Sequence, residues 1–321
     1  MKSTDVLRRL ASLLLATVLV AASRAVPAQT PCPPAARQPT PQDLQLGLQH
    51  ARDRGFLWRL RKDGRTSWLY GTVHVARFDW IVPGATLMGA LRASDAVALE
   101  LDLLDPDIVE RLRAGMALHP DRALTGTLAQ RLKAQVKAAC LSEQLVLTTA
   151  PEMVATTLMV MAARHQGLDP AYAIDNVVAG LGRGLNKPVT SLETPEIQLK
   201  VLQGRTREET QAVVEQALDE LESGRAPPML ARIAQVWADG RFGELEHYAD
   251  WCDCLNTADE RAMHRRLLDE RNPGLAERID RMHAGGKQVF AAVGALHMIG
   301  PLGLPALLAQ RGYQVDRVEF K

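Results

Sequence analysis

The sequence predicts an α/β (α+β) fold: a central mixed β-sheet built from the N- and C-terminal segments, with a large helical middle. Three observations predict it. Strand patterns cluster at residues 57–103 and 288–319, with one short addition, PVTSL, at Pro188–Leu192. Capped segments of helical period fill 104–185 and 195–286. Two apolar runs near opposite ends of the chain, Trp68–Val75 (WLYGTVHV) and Gln288–Pro301 (QVFAAVGALHMIGP), each contain Gly-x-x-His. Short apolar runs rich in β-branched or aromatic residues and closed by Gly read as buried strands.

The chain begins outside this fold. Lys2, Arg8 and Arg9 precede the apolar run Leu10–Ala22, and Val26-Pro27-Ala28 offers a small-x-small cleavage site. That is the three-part pattern of a secretory signal peptide. The run is too short for a comfortable membrane span, and no later stretch is apolar enough for one. Cleavage after Ala28 is expected, giving a periplasmic or secreted protein that starts at Gln29 and has no stable membrane span. Residues 29–55 read as a Pro-rich arm with a lead-in helix, and 56–321 as a single domain.

Each element has its own warrant. FLWRLR and TSWLYGTVHV flank Lys62-Asp63-Gly64-Arg65, and Asp-Gly between alternating apolar runs signals a hairpin. Ala85–Ala93 follows as a helix, then Ala96–Leu103 (AVALELDL) as a strand interrupted by Glu100 and Asp102. Pro106–Leu118, Ala123–Leu141 and Pro151–His165 read as helices, the last with a Met stripe suited to core filling. Ala171–Gly184 contains Asp175. Thr194-Pro195 and Thr206-Arg207-Glu208-Glu209 are helix starts, the second a capping box. Asn272-Pro273 caps a helix that ends at Gly285-Gly286. Strand Gln288–Val293, helix Pro301–Gln310 and strand Gln314–Glu319 finish the chain.

Composition narrows the function. The chain is 47% hydrophobic and 23% charged, ordinary for a globular protein. Without residues 1–28 it carries 34 Lys+Arg against 36 Asp+Glu and no basic block. That argues against nucleic acid as a partner. The four cysteines, Cys32, Cys140, Cys252 and Cys254, suggest disulfides in an exported chain. Cys252 and Cys254 sit too close along an ordinary backbone to pair, so one is expected to take Cys32 and the other Cys140. Cys-x-Cys without a second pair is a poor zinc pattern. Walker, Gly-x-Ser-x-Gly, His-Glu-x-x-His and Gly-x-Gly-x-x-Gly motifs are absent.

The chemistry therefore rests on residues at strand ends. Ligands bind beyond the C-terminal ends of strands in open α/β sheets. His74 and His297 fall there, each preceded by a Gly that lets the backbone turn closely. Imidazole is a common ligand of divalent metals. Glu100 sits where an unpaired carboxylate is expensive, which favours a role as ligand or base over Asp102 on the same face. Glu193 ends PVTSLE at the same kind of strand end, although a helix N-terminus alone would favour it. Asp175 reads either as a helix cap or as the partner of a ligand. Arg271 is a secondary candidate reaching into the site, and Asn272 a helix cap. His50, His119, His165, His247, His264 and His283 read as solvated.

WLYGTVHV, AVALELDL, AIDNVV with SLETPEIQL, ERNPGLAERI and the segment from VFAAVGALHMIGP onward together resemble the TraB/PrgY/GumN family, over roughly residues 56–320. Animal relatives of that family include the Tiki membrane proteases; this chain lacks their anchor and resembles the bacterial GumN-like branch. The resemblance implies a mixed fold related to erythromycin-esterase and haem-binding ChaN-like proteins. For the protease branch it further implies peptide cleavage dependent on a divalent metal, with Mn or Co preferred; the cofactor expected here is a divalent ion, Mn, Co or Zn. Carried over, His74 and His297 would be metal ligands or catalytic histidines, with Glu100 and Glu193 as candidate acids. The leading expectation is that His74, His297 and Glu100 hold one divalent ion, with Glu193, Glu100 and Arg271 catalytic, acting on a peptide or small-molecule substrate. Two rivals stand beside this: a non-catalytic protein binding haem, metal or peptide, and a metal-free esterase with His as base.

Overall fold

Residues 32, 33 and 35–320 are described by a computed structural model; the expected signal peptide lies outside the described residues. Six strands form one sheet: β1 (Phe56–Lys62), β2 (Arg65–Thr72), β3 (Ala96–Leu99), β4 (Val189–Ser191), β5 (Val289–Gly294) and β6 (Gln314–Val318), in the order β4-β3-β5-β2-β1-β6. Asp63 and Gly64, both at positive φ, make the tight β1–β2 turn that Asp-Gly favours. β2 and β6 both pair antiparallel with β1, while β2, β5, β3 and β4 run parallel to one another. Four consecutive parallel strands thus end at one edge of the sheet.

β3 and β5 are buried along their whole length. That is the continuous apolar reading expected of parallel strands covered on both faces. Helices Ile174–Gly184 and Asn272–Ala284 cover the sheet, and the latter packs Leu275, Ala276 and Ile279 into the main core. Trp237, from helix Ala226–Ala238, is fully buried against Tyr70, and its Nε1 donates to the carbonyl of Gly71 at 2.6 Å. The helical middle has a smaller core of its own: Leu132, Val136, Val154, Ala155, Leu158, Val214 and Leu218, from helices Gly126–Ala138, Pro151–Met161 and Arg207–Glu222.

Several expectations need correction. The strand expected to reach Leu103 ends at Leu99, so Glu100 and Asp102 lie just beyond it. The last helix starts at Leu304. His283 is fully buried, with Nδ1 2.8 Å from Ser67 Oγ and Nε2 3.0 Å from the carbonyl of Lys62. It extends the Leu275, Ala276, Ile279 stripe of its helix, and polar partners at that end offset the burial. Cys252 and Cys254 form a disulfide with each other. Asp253 between them takes a left-handed φ of 47°, and the resulting kink brings their Cα atoms to 5.1 Å, within reach of a bridge. Cys32 and Cys140 are also disulfide-bonded.

Candidate active site

The four parallel strands deliver the candidate residues in adjacent order. Glu193 follows β4, Glu100 follows β3, His297 follows β5 and His74 follows β2. The ladder continues a step past β3 and β4, with Leu192 N–H donating to Leu99 O and Glu193 N–H to Glu100 O. This sets the two carboxylates side by side. They are buried, at 7% and 4% exposed.

Arg271 resolves that concentration of negative charge. Its Nε donates to Glu193 Oε1 at 3.0 Å, and its Nη2 donates to Glu193 Oε2 and to Glu100 Oε2. Its Nη1 is held by the carbonyl of Leu267 at 2.8 Å. Gln198 Nε2 adds a bond to Glu193 Oε2 at 3.2 Å. The remaining oxygen of Glu100, Oε1, accepts the backbone N–H of Gly294 at 2.7 Å. Burial pushes the Glu100 carboxyl up, but His297, Arg271, His74 and that N–H together bring it down to about 2. Burial lowers the Arg271 guanidinium, yet its bonds to both carboxylates leave it raised overall.

The two histidines are held in opposite ways. His74 Nδ1 pairs with Asp175 Oδ2 at 2.8 Å, and Thr72 Oγ1 donates to Asp175 Oδ1 at 2.5 Å. Asp175 is placed by the bonding of Ile174 N–H to Val73 O, which docks its helix start onto the loop bearing His74. The charge of Asp175 raises His74 to about 9 against the opposing effect of burial. The side chain of His74 is 63% exposed, so water screens the pair. His297 is 4% exposed, and its Nδ1 lies 2.5 Å from Asn272 Oδ1. Asn272 Nδ2 donates to the carbonyl of Leu302 at 2.8 Å, which fixes Oδ1 as the atom facing the ring. The hydrogen of His297 therefore sits on Nδ1, and Nε2 accepts from Arg271 Nη1 at 3.4 Å. Burial lowers His297 to about 4, reinforced by Arg271 and opposed by Glu100.

Gly294 explains the Gly of the second Gly-x-x-His by space, with no turn required. A Cβ there would meet Glu100 Oε1 at 3.2 Å, His74 Nε2 at 3.5 Å and His297 Cδ2 at 3.6 Å. The three side chains converge on that backbone atom. A cleft of about 400 Å³ opens over them, with His74, Glu100, Asp175 and Arg271 at its floor and Leu101, Leu103, Val160, Val201, Leu202 and Leu267 among its walls. Glu193 and His297 stand behind this surface. Asp102, the other acid of AVALELDL, turns away to pair with Arg183.

As arranged, the expected ligand set does not fit a divalent ion. Glu100 Oε2 and His297 Nε2 both face the Arg271 cation, leaving His74 Nε2 and Glu100 Oε1 as the donors nearest Gly294. No group of three His, Cys, Asp or Glu side chains among the described residues is set to hold a metal.

The sequence profile of the TraB/PrgY/gumN family matches residues 56–317. The chain belongs to this family. The match reaches all six strands and contains His74, Glu100, Asp175, Glu193, Arg271 and His297. No curated protein matches the chain, and no solved structure does. Among the family chain's site residues, Gln198 had no sequence signal beyond its place one turn into a helix after SLET. Asn272 was visible only as a helix cap, a role its side chain does not fill, since it is bonded to His297 and Leu302.

Proposed function

We propose that this family member is an exported hydrolase, that the cleft is its active centre, and that it cleaves an amide or ester bond beside an apolar group, peptides being the leading substrate class. The observation that carries the reading is the His74–Asp175 pair, set beside Glu100 and Arg271 at the floor of an apolar-walled cleft. Asp175 occupies Nδ1 of His74, so Nε2 is the nitrogen available to a water. A carboxyl held as low as Glu100 is a poor proton acceptor at neutral pH, so proton transfer falls to His74. The neutral ring takes a proton from water as it attacks the carbonyl, and the imidazolium returns it to the leaving group. The five N–H groups of Arg271 are engaged by Glu193, Glu100, Leu267 and His297, so it contributes positive charge at the cleft floor and donates no hydrogen bond to the carbonyl oxygen. Glu193 and Gln198 hold Arg271 in place, and Glu100 orients the attacking water.

Metal assistance by Mn, Co or Zn is the second reading, favoured by the closeness of His74 Nε2 and Glu100 Oε1 to one point at Gly294. The donor set described above does not fit a bound ion, and no step of the mechanism runs through one. Export is supported by the leader pattern in residues 1–28 and by the disulfide-bonded cysteines; no helix among the described residues is long and apolar enough to cross a membrane. The secreted product is expected to start at Gln29, which its intact mass tests.

A screen of internally quenched peptides and activated esters tests the hydrolase reading. Turnover of substrates with apolar groups at the scissile bond supports it. Saturable binding of peptide or haem without turnover of any substrate would make the protein a binding protein instead.

A further inference from the structure

Away from the cleft, the Cys252–Cys254 bridge spans a single residue, Asp253. A loop that small restrains the unfolded chain very little, so the bridge adds little stability by closing it. Its surroundings suit reaction better than restraint. Cys252 is 1% exposed, whereas Cys254 is partly exposed; both line a cavity of about 500 Å³, and Cys254 alone of the two also lines one of about 230 Å³. The backbone N–H of Cys254 donates to Cys252 Sγ at 3.2 Å. Tyr248 O–H lies 3.1 Å from Cys254 Sγ and donates to it. Asp253, between the two cysteines, sits at a left-handed φ of 47°.

We propose that Cys252–Cys254 is a reversible dithiol–disulfide site, opened from the Cys254 side by a dithiol reductant. A thiolate of the reductant attacks Cys254 Sγ from the cavity, forming a mixed disulfide and breaking the Cys252–Cys254 bond. The bonding pair leaves on Cys252 Sγ, where the Cys254 N–H already stands as a donor to the thiolate. The reductant's second thiolate then displaces Cys254 Sγ, whose developing charge the Tyr248 hydroxyl stabilises. The protein gains two electrons and two protons, and the reductant leaves as its own disulfide.

The test incubates the native full chain in graded mixtures of reduced and oxidised dithiothreitol, traps thiols with iodoacetamide and maps them by peptide mass spectrometry. Cys252 and Cys254 are expected to open together at a defined ratio and to close again in the oxidised mixture, while Cys32 and Cys140 stay bridged. Tyr248→Phe is expected to keep the bridge but slow its opening by the dithiol roughly three- to tenfold, the effect of losing one hydrogen bond to the departing Cys254 sulfur. Cysteines 252 and 254 that react only after denaturant, or only in step with Cys32 and Cys140, overturn the proposal. So does an oxidised protein in which the two thiols are free.

Discussion

At the scale of single residues, the site is organised by what holds each nitrogen and oxygen. His74 and His297 are the same residue type at the same kind of strand end, yet Asp175 raises one to about 9 and burial lowers the other to about 4. Near neutral pH, His74 is mostly imidazolium and His297 neutral. The proposed base is the minor, deprotonated form of His74, so kcat/KM should climb with pH and level off near 9, measured with any substrate the screen yields. A shift upward from 6.5 also means that the pair stabilises the fold fully below about pH 6.5 and loses that contribution as the pH rises through 9. Asp175→Asn keeps the size but removes the charge. It should lower kcat by at least about 100-fold, as loss of the carboxylate orienting a catalytic histidine does, and pull the pH plateau toward the ordinary histidine range. An unchanged pH profile would detach Asp175 from the chemistry.

The same scale governs stability at Arg271. Glu100 and Glu193 are buried, and this guanidinium is the cation that joins them. Replacing it by Met strands two carboxylates, which should cost about 3–5 kcal/mol in denaturant unfolding. Double replacement of Glu100 and Glu193 by Gln in the Arg271→Met background should recover much of the loss, because it removes the stranded charges.

At the scale of elements, the edge of the sheet depends on the backbone at Gly294 and on the side chain at the start of helix Asn272–Ala284. Gly294→Ala places a methyl 3.2 Å from Glu100 Oε1, on the atom that receives the Gly294 N–H. The carboxylate must shift, so activity should fall well beyond any change in Tm; equal activity would show that this convergence is not functional. Asn272→Leu removes the acceptor that fixes the hydrogen of His297 on Nδ1 and leaves that N–H buried and unsatisfied. A loss of about 1–3 kcal/mol is expected, together with a changed tautomer signature for His297 in ¹⁵N spectra. Asn272→Asp, which retains the acceptor, should preserve the tautomer.

Legibility in the sequence followed the same scale. Period-2 and apolar patterns identified all six strands, because burial on both faces leaves a continuous signal in runs such as VFAAVG. The end of β3 was not legible: AVALELDL keeps its alternation past Leu99, while pairing with the short β4 stops there. Glu100, Glu193 and both histidines could be nominated because strand ends are visible. Their mutual positions could not, since these depend on a strand order in which β5 inserts between β3 and β2. Asn272 and Gln198 were hidden for a different reason. Asn272 acts by contacts to His297 and Leu302, distant in sequence, while Gln198 bonds the nearby Glu193, whose own role depends on the distant Arg271. Cys252–Cys254 was misjudged by assuming ordinary backbone at Asp253, where a left-handed φ decides the outcome.

At the scale of the whole molecule, a sheet made from both ends of the chain supports a cleft whose walls come largely from the helical middle. Pro170, Ala173, Val201 and Leu267 belong to segments that close over the edge formed by β2, β3 and β5. Strands thus set the reacting groups, and helices set what reaches them. The central claim is that His74, backed by Asp175, performs the proton transfer in this cleft. The most direct measurement is kcat/KM of the chelator-treated wild type beside His74→Asn, with matching circular dichroism for both. The account predicts turnover by the chelated wild type and its loss, by about 100-fold or more, in the variant. Equal turnover by the two proteins would contradict it.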